Sequence, residues 1–240
     1  MTPISRLDAF LGNSCEWNNI DFCSPTIREI SSIGESVYYS HLILASFDKE
    51  RILLDLFNFD KDKYETMKNE DDFDVLVSHP TIVQYICDSL SFFINKPVNF
   101  DTHTFCFIVD NQPLCNKDNY MELSSVIKML NGSDSEKKKE TKFSSSKAKE
   151  LLEKRNAMLK KINKNSDDNL DLKDVLSILC VAEGNGINVF NVKELTIYQV
   201  YEHLERMSLK DSFNRILPVW ANGHLGEKGQ MPEWIKKTKL

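Results

Sequence analysis

Apolar residues recur at intervals of three and four over much of this 240-residue chain, the period of a helix that buries one face. Ile27, Ile30, Gly34, Val37, Tyr38, His41, Leu42 and Ala45 form one such stripe. Ser24-Pro25 ahead of it supplies an N-cap and a proline at the first helical position, so a helix is predicted from there to Ser46. Gly34 weakens that helix slightly and leaves room for close packing. Lys49 to Phe59 carries Ile52, Leu53, Leu56 and Phe57 at helical spacing. A further helix is predicted from Thr81, with Ile82, Ile86, Leu90, Phe93 and Ile94 on its core face, and it stops before Pro97. Asp118 can cap a helix that runs to Leu130 and closes at Asn131-Gly132. Asp171 caps another, with Leu172, Val175, Leu176, Leu179 and Ala182 as its stripe and Gly184-Asn185-Gly186 as its end. Asn191-Val-Lys-Glu194 has the spacing of a capping box. It is the predicted start of a last helix faced by Ile197, Val200, Tyr201, Leu204 and Met207 and widened by Leu195 and Tyr198.

From Val98 the pattern changes. Thr104 to Val109 is β-branched and aromatic, Asp110-Asn-Gln-Pro113 has turn chemistry, and Leu114-Cys115 follows, so a small hairpin is predicted. Residues 1–23 show no clear period. Asp60 to Asp74, with seven acids and three lysines, reads as a solvated loop or helix. Ser133 to Ser146 is poor in apolar residues and rich in Lys, Glu and Ser, the composition of a linker or flexible arm, and Lys147 to Asn163 is helix-prone again. Pro218 to Leu240 reads as an irregular tail. The predicted fold is mainly α, a helical bundle-like body with a small β-hairpin insertion and a charged flexible segment. Its parts are a helical N-terminal domain with the hairpin over 1–132, a basic linker or helix over 133–169, and a helical C-terminal region with an irregular tail over 170–240.

Composition narrows the function classes. With 41% hydrophobic and 28% charged residues the chain can bury a core without staples. Six cysteines without a C-x-x-C pair fit a reducing compartment. The amino terminus lacks the basic start and apolar core of a signal peptide, and no apolar run is long enough to span a membrane. The net charge of −6 is uneven: Ser133 to Lys164 holds eleven Lys/Arg against five Asp/Glu, which leaves about −12 elsewhere. An acidic body argues against a dedicated nucleic-acid binder, which needs a concentrated positive surface.

Residue spacings for chemistry are missing. His41, His79, His103, His203 and His224 stand singly, with no H-E-x-x-H, and His103 with Cys106 and Cys115 reads as hairpin core and turn. Asp60 to Glu65 and Asp167 to Asp171 lack the glycine of a calcium loop. Gly184-Asn-Gly186 and the glycines from 223 to 229 match no phosphate-binding fingerprint. No catalytic residue, cofactor site or metal ligand is therefore assigned, and the expectation is a non-enzymatic binding protein. Trp220 and Trp234 either peg the tail onto the body or serve as anchors for a partner, because aromatic side chains bury much area for little rotamer entropy. With Tyr198 and Tyr201 of the preceding helix they are the candidate partner-contact residues.

Leu195-Thr-Ile-Tyr-Gln-Val-Tyr-Glu-His-Leu-Glu-Arg206, preceded by Asn188-Val-Phe-Asn-Val192, resembles the closing region of tail-assembly proteins from phages and prophages of Gram-positive bacteria. Pro25-Thr-Ile-Arg-Glu-Ile-Ser-Ser-Ile-Gly-Glu-Ser-Val-Tyr-Tyr39 is similar to their opening helix. The two stretches bracket much of the chain, while the basic segment and the residues after Ser208 have no counterpart. The resemblance implies a chaperone in the bacterial host cytoplasm that shields the hydrophobic helices of the tape-measure protein, or of another tail protein, and brings no catalytic residue or cofactor. Self-association is compatible with it. The alternatives are a tail or baseplate component of the virion, a phage-encoded inhibitor of a host protein whose acids at 60–74 mimic nucleic acid, or an enzyme with a site assembled from dispersed residues.

Overall fold

The computed structural model describes residues 5–132, 170–223, 231 and 233–238; the linker, the basic run and the helix expected within 133–169 lie outside them. The protein is mainly α with two small antiparallel sheets. Helix α1 (Arg6–Leu11) leads into a hairpin of β1 (Cys15–Trp17) and β2 (Ile20–Phe22), followed by α2 (Ile27–Ile33) and α3 (Glu35–Ala45). A π-helical turn (Arg51–Leu56) precedes α4 (Lys61–Met67), α5 (Asp72–Val77) and α6 (Pro80–Ile94). A three-stranded meander of β3 (Val98–Asp101), β4 (Cys106–Val109) and β5 (Gln112–Cys115) is followed by α7 (Tyr120–Leu130), α8 (Leu172–Val181), a 3₁₀ turn (Val192–Glu194) and α9 (Ile197–Ala221).

Residues 170 positions apart in the chain meet where α2 and α9 begin, at Thr26 and Thr196. Thr26 and Thr196 are the N-caps, with the same backbone conformation, φ −74° and ψ 156°. Each closes a capping box: the hydroxyl accepts from the backbone N–H of Glu29 or Gln199, and that side chain accepts in return from the threonine's own N–H. The caps also pair with each other as one antiparallel bridge. Ile27 N–H donates to Leu195 O at 2.9 Å and Ile197 N–H to Pro25 O at 2.8 Å, while Tyr198 N–H donates to the Ser24 hydroxyl at 3.1 Å. Donors left over at both helix starts are thereby satisfied inside the protein rather than by water. Ile27, Ile30, Ile197, Tyr198 and Val200 can then be buried beside the junction.

Several predicted boundaries move for physical reasons. The helix expected from Ser24 to Ser46 divides at Gly34, whose φ of +89° and ψ of 144° are open to glycine and not to a helical residue. Its cap is Thr26, and Ser24 serves α9 instead. The capping box expected at Asn191 and Glu194 lies five residues later: Asn191 makes no side-chain cap, and its amide group bonds the Gly186 carbonyl within the preceding loop. The tail expected to be irregular from Pro218 is helical to Ala221. The single hairpin gains a third strand, β3, and α1 and the β1–β2 hairpin arise where no period was seen. Asn18-Asn19 turns that hairpin with φ of 51° and 61°, close to the 51° and 62° of Asp110-Asn111 between β4 and β5, as two-residue hairpin turns require.

One core draws on residues from both sides of 133–169. At its centre Phe47, fully buried in the turn after α3, lies 5.4 to 6.3 Å from Phe73, Phe107 and Tyr120, so this turn, α5, the meander and α7 share one aromatic cluster. The acidic stretch is built into this body. Asp60 and Asp71 cap α4 and α5, and buried Lys49 bonds the carbonyls of Lys68 and Glu70 and pairs with Asp72 at 3.2 Å. Asp74 pairs with Lys117 and Glu65 with Lys68.

Thr26→Ala and Thr196→Ala are each expected to lower the unfolding free energy by about 1 kcal/mol in urea denaturation. The double variant should lose less than the sum, because either change loosens the shared junction; strict additivity would mean that the two caps act separately. Gly132→Ala is expected to cost more than either. Gly132 has φ +66°, and an added Cβ would come within 2.4 Å of the Tyr201 ring.

Candidate protein-binding surface

Helix α9 is 25 residues long and uses its length in two ways. Its first three turns carry Ile197, Val200, Tyr201, Leu204 and Met207 on the side that packs into the core. Beyond Ser208 no residue of the helix is buried. The apolar residues of that outer half, Leu209, Phe213, Ile216, Leu217 and Trp220, again follow intervals of three and four, but at about 100° per residue they fall on the opposite side of the helix. The stripe therefore does not continue the core contact. It forms a separate apolar ridge, with Ile216 at 42% and Trp220 at 36% exposure, and Val219 at 39% beside it.

The outer half is held as helix by local means. Asp211 and Arg215 pair at 2.9 Å one turn apart, and Asn222 closes the end on the carbonyl of Pro218. Pro218 removes one internal helical hydrogen bond. Leu209, Phe213 and Leu217 are only partly buried and Ile216 and Trp220 are exposed, so this half of the helix gains less stability from packing than the first half, and its stripe has the spacing of three and four at which helices are recognised.

The four candidate contact residues separate into two pairs. Tyr198 is 1% exposed and belongs to the core, and Tyr201 is half-buried with its ring against the backbone of Gly132. Burial raises the phenol of Tyr201, as it does those of its neighbours Tyr38 and Tyr39, so the cluster is neutral and structural. Trp220 and Trp234 both lie along the outer half of α9. Trp220 closes the ridge, and Trp234 is half-buried, its ring beneath the ammonium of Lys210 at 5.9 Å. Neither tyrosine side chain is a free surface. The ridge residues Phe213, Ile216 and Leu217 escaped the sequence reading, which stopped the stripe at Met207; their spacing was the signal.

Other chemistry-bearing groups are occupied structurally. Burial pushes the Cys87 thiol up to about 11 and raises Cys15, Cys106 and Cys115, so these thiols are held neutral. Cys106 donates to the Cys115 carbonyl at 3.2 Å. His41 stacks on Phe92 at 5.2 Å, with burial lowering its affinity for a proton, and His103 donates its N–H to Asp101 in the turn between β3 and β4. Among the described residues, no three His, Cys, Asp or Glu side chains are placed to share a metal ion, and no helix is long and apolar enough to cross a membrane.

The described residues form a mainly helical body with an apolar ridge on the outer half of α9. Residues 161–239 match the family model of the YomV second domain, a phage-associated family of Bacillus phage type. About a third of the chain is covered, and α8, the paired cap of α9, the ridge and the segment around Trp234 all fall inside the match. No curated protein and no solved structure matches the chain.

Replacing Ile216 by Asp on the ridge is expected to change the thermal midpoint by no more than a surface substitution does, within about 0.5 kcal/mol in stability. Leu204→Ala, on the opposite stripe of the same helix, should cost about 2 kcal/mol or more. Equal losses at both sites, read from paired melting curves, would show that the ridge is part of the core.

Proposed function

We propose that this protein is a non-enzymatic binding factor of phage origin that acts in tail morphogenesis in the host cytoplasm, engaging a helix of the tape-measure protein or of another tail protein. The observation that carries this reading is the ridge on the outer half of α9. Three turns of helix that bury no residue, with apolar side chains in register on the face turned away from the core, fit a partner helix. The match of this segment to a phage-associated family supports a phage setting, and the resemblance of Leu195 to Arg206 to tail-assembly proteins supplies the finer assignment. A chaperone for hydrophobic helices needs an exposed apolar surface that does not aggregate. The ridge is narrow and is bordered by Lys210 on one side and Ser212 on the other, which keeps it from widening into a broad apolar patch.

The nucleic-acid-mimic reading is less well supported. Five of the seven acids at 60–74 cap helices or pair with lysines: Asp60, Glu65, Asp71, Asp72 and Asp74. Charge consumed locally gives little of the continuous negative surface that such a mimic needs.

Co-expression with the cognate tape-measure protein should yield a soluble complex that survives affinity purification. Ile216→Asp together with Trp220→Ala should reduce recovery of the partner at least about tenfold, the equivalent of a 1.4 kcal/mol anchor. A partner that stays insoluble with the unaltered protein would sink the tail-chaperone reading. Undiminished recovery with the ridge variant would place the contact elsewhere.

A further inference from the structure

Residues 233–238 run back along α9 as a strap. The Thr238 hydroxyl is buried between α1 and α9, accepting from Arg6 Nη2 at 2.7 Å and donating to Glu202 Oε1 at 2.9 Å. Arg206 Nη1 donates to the Lys236 carbonyl at 2.7 Å, and Trp234 lies under Lys210. Contacts at 202, 206 and 210 on the helix thus meet 238, 236 and 234 on the strap. The strap therefore runs antiparallel to the helix, with a tight turn in which Lys236 N–H donates to the Trp234 carbonyl at 3.0 Å. The same face of α9 continues past Lys210 into Phe213, Leu217 and the ridge.

The strap fits its groove poorly in charge. Arg6 and Arg206 converge on a single carboxylate, Glu202, at 4.0 and 3.5 Å, longer than a good charge-assisted hydrogen bond. Glu202 Oε2 is buried without a hydrogen-bond partner. A cavity of about 260 Å³ remains beside Thr238, with Arg6, Leu7, Phe10 and Arg206 in its wall. Beside this cationic groove the strap carries exposed Lys236 and Lys237 against one acid, Glu233, and so adds net positive charge, while its Ile235 stands in solvent at 81% exposure. Its hold is a set of charge-assisted hydrogen bonds to Arg6, Arg206 and Glu202, roughly 1.5–3 kcal/mol each, with Trp234 under Lys210, so a segment that displaces it has to replace these same charged contacts.

We propose that the groove between α1 and α9 is a binding site for an acidic segment of a protein partner, and that the cationic strap is its displaceable occupant in cis. Carboxylates of the incoming segment pair with Arg6, Arg206 and Lys210. A backbone N–H supplies the donor that Glu202 Oε2 lacks. The proposal deepens the protein-binding reading and rests on it. It also places the occupant of the groove end to end with the helix on the ridge, so that one partner can engage both.

The test uses the full-length protein and a fluorescein-labelled, blocked peptide of repeating Glu-Gly-Thr, with the Lys-Gly-Thr peptide as its counterpart. Binding is read by anisotropy, and strap opening by hydrogen exchange at 233–238. The acidic peptide should bind, with affinity falling as salt rises, and accelerate exchange of the strap; the basic peptide should do neither. Arg206→Gln and Arg6→Gln should each weaken the acidic peptide about tenfold or more, while Arg215→Gln, on the ridge half of the helix, should not. No binding of the acidic peptide, equal binding of both peptides, or binding that leaves strap exchange unchanged would overturn the proposal. The ridge variant Ile216→Asp should bind this peptide normally, so failure at the groove is distinguishable from failure at the ridge.

Discussion

The bridge between Thr26 and Thr196 is the contact on which the rest of the molecule depends. Each cap alone would satisfy part of one helix start. Paired, they place two helix N-termini against each other, each loop supplying a carbonyl to the other's first N–H. Two positive helix ends brought together repel. Glu29 in the first turn of α2, and the exposed ion pair of Glu194 with Arg28 across the junction, offset that repulsion. Once the bridge is fixed, the direction of α9 is fixed, and so is the side that its first turns bury.

From that constraint follows the division of α9. The first half is tied at its start by the bridge, along its side by Gln199 donating to the Phe10 carbonyl, and beneath by Tyr201 against Gly132. The core ends near Met207, but the helix does not. Its outer half reverses its apolar face and offers it outward, so the element that closes the fold also carries the candidate contact surface. The rigid base fixes where the helical arm points, and ordering the less protected outer half is the conformational cost of binding a partner there.

Much of the fold could be read from residue order. The Asp171 cap, the helix from Pro80, the turn at Asp110-Asn111 and the end of α7 at Asn131-Gly132 are local signals, and the structure contains them all. What escaped depends on partners distant in the chain. Thr26-Ile-Arg-Glu29 and Thr196-Ile-Tyr-Gln199 repeat one pattern, visible in the sequence, yet only their contact shows that they cap each other. Asn191 to Glu194 has the spacing of a capping box and loses to Thr196, because the loop claims Asn191 and the bridge positions the later residue. The β1–β2 hairpin was hidden by its three-residue strands, too short to show alternation. The ridge was hidden because its stripe shifts to the other face of the same helix, where a search for one continuous period ends at Met207. Of the four proposed contact residues, Trp220 and Trp234 lie along the outer half of α9, while the tyrosines were drawn from the half that the core uses.

The most direct measurement is residue-resolved hydrogen exchange along α9, with and without the co-expressed partner. The account predicts that amides from Val200 to Met207 exchange near the rate set by global unfolding. Those from Phe213 to Ala221 should exchange much faster in the free protein and slow on binding. Uniform protection along the free helix, or an outer half that exchanges equally fast in the complex, would contradict it.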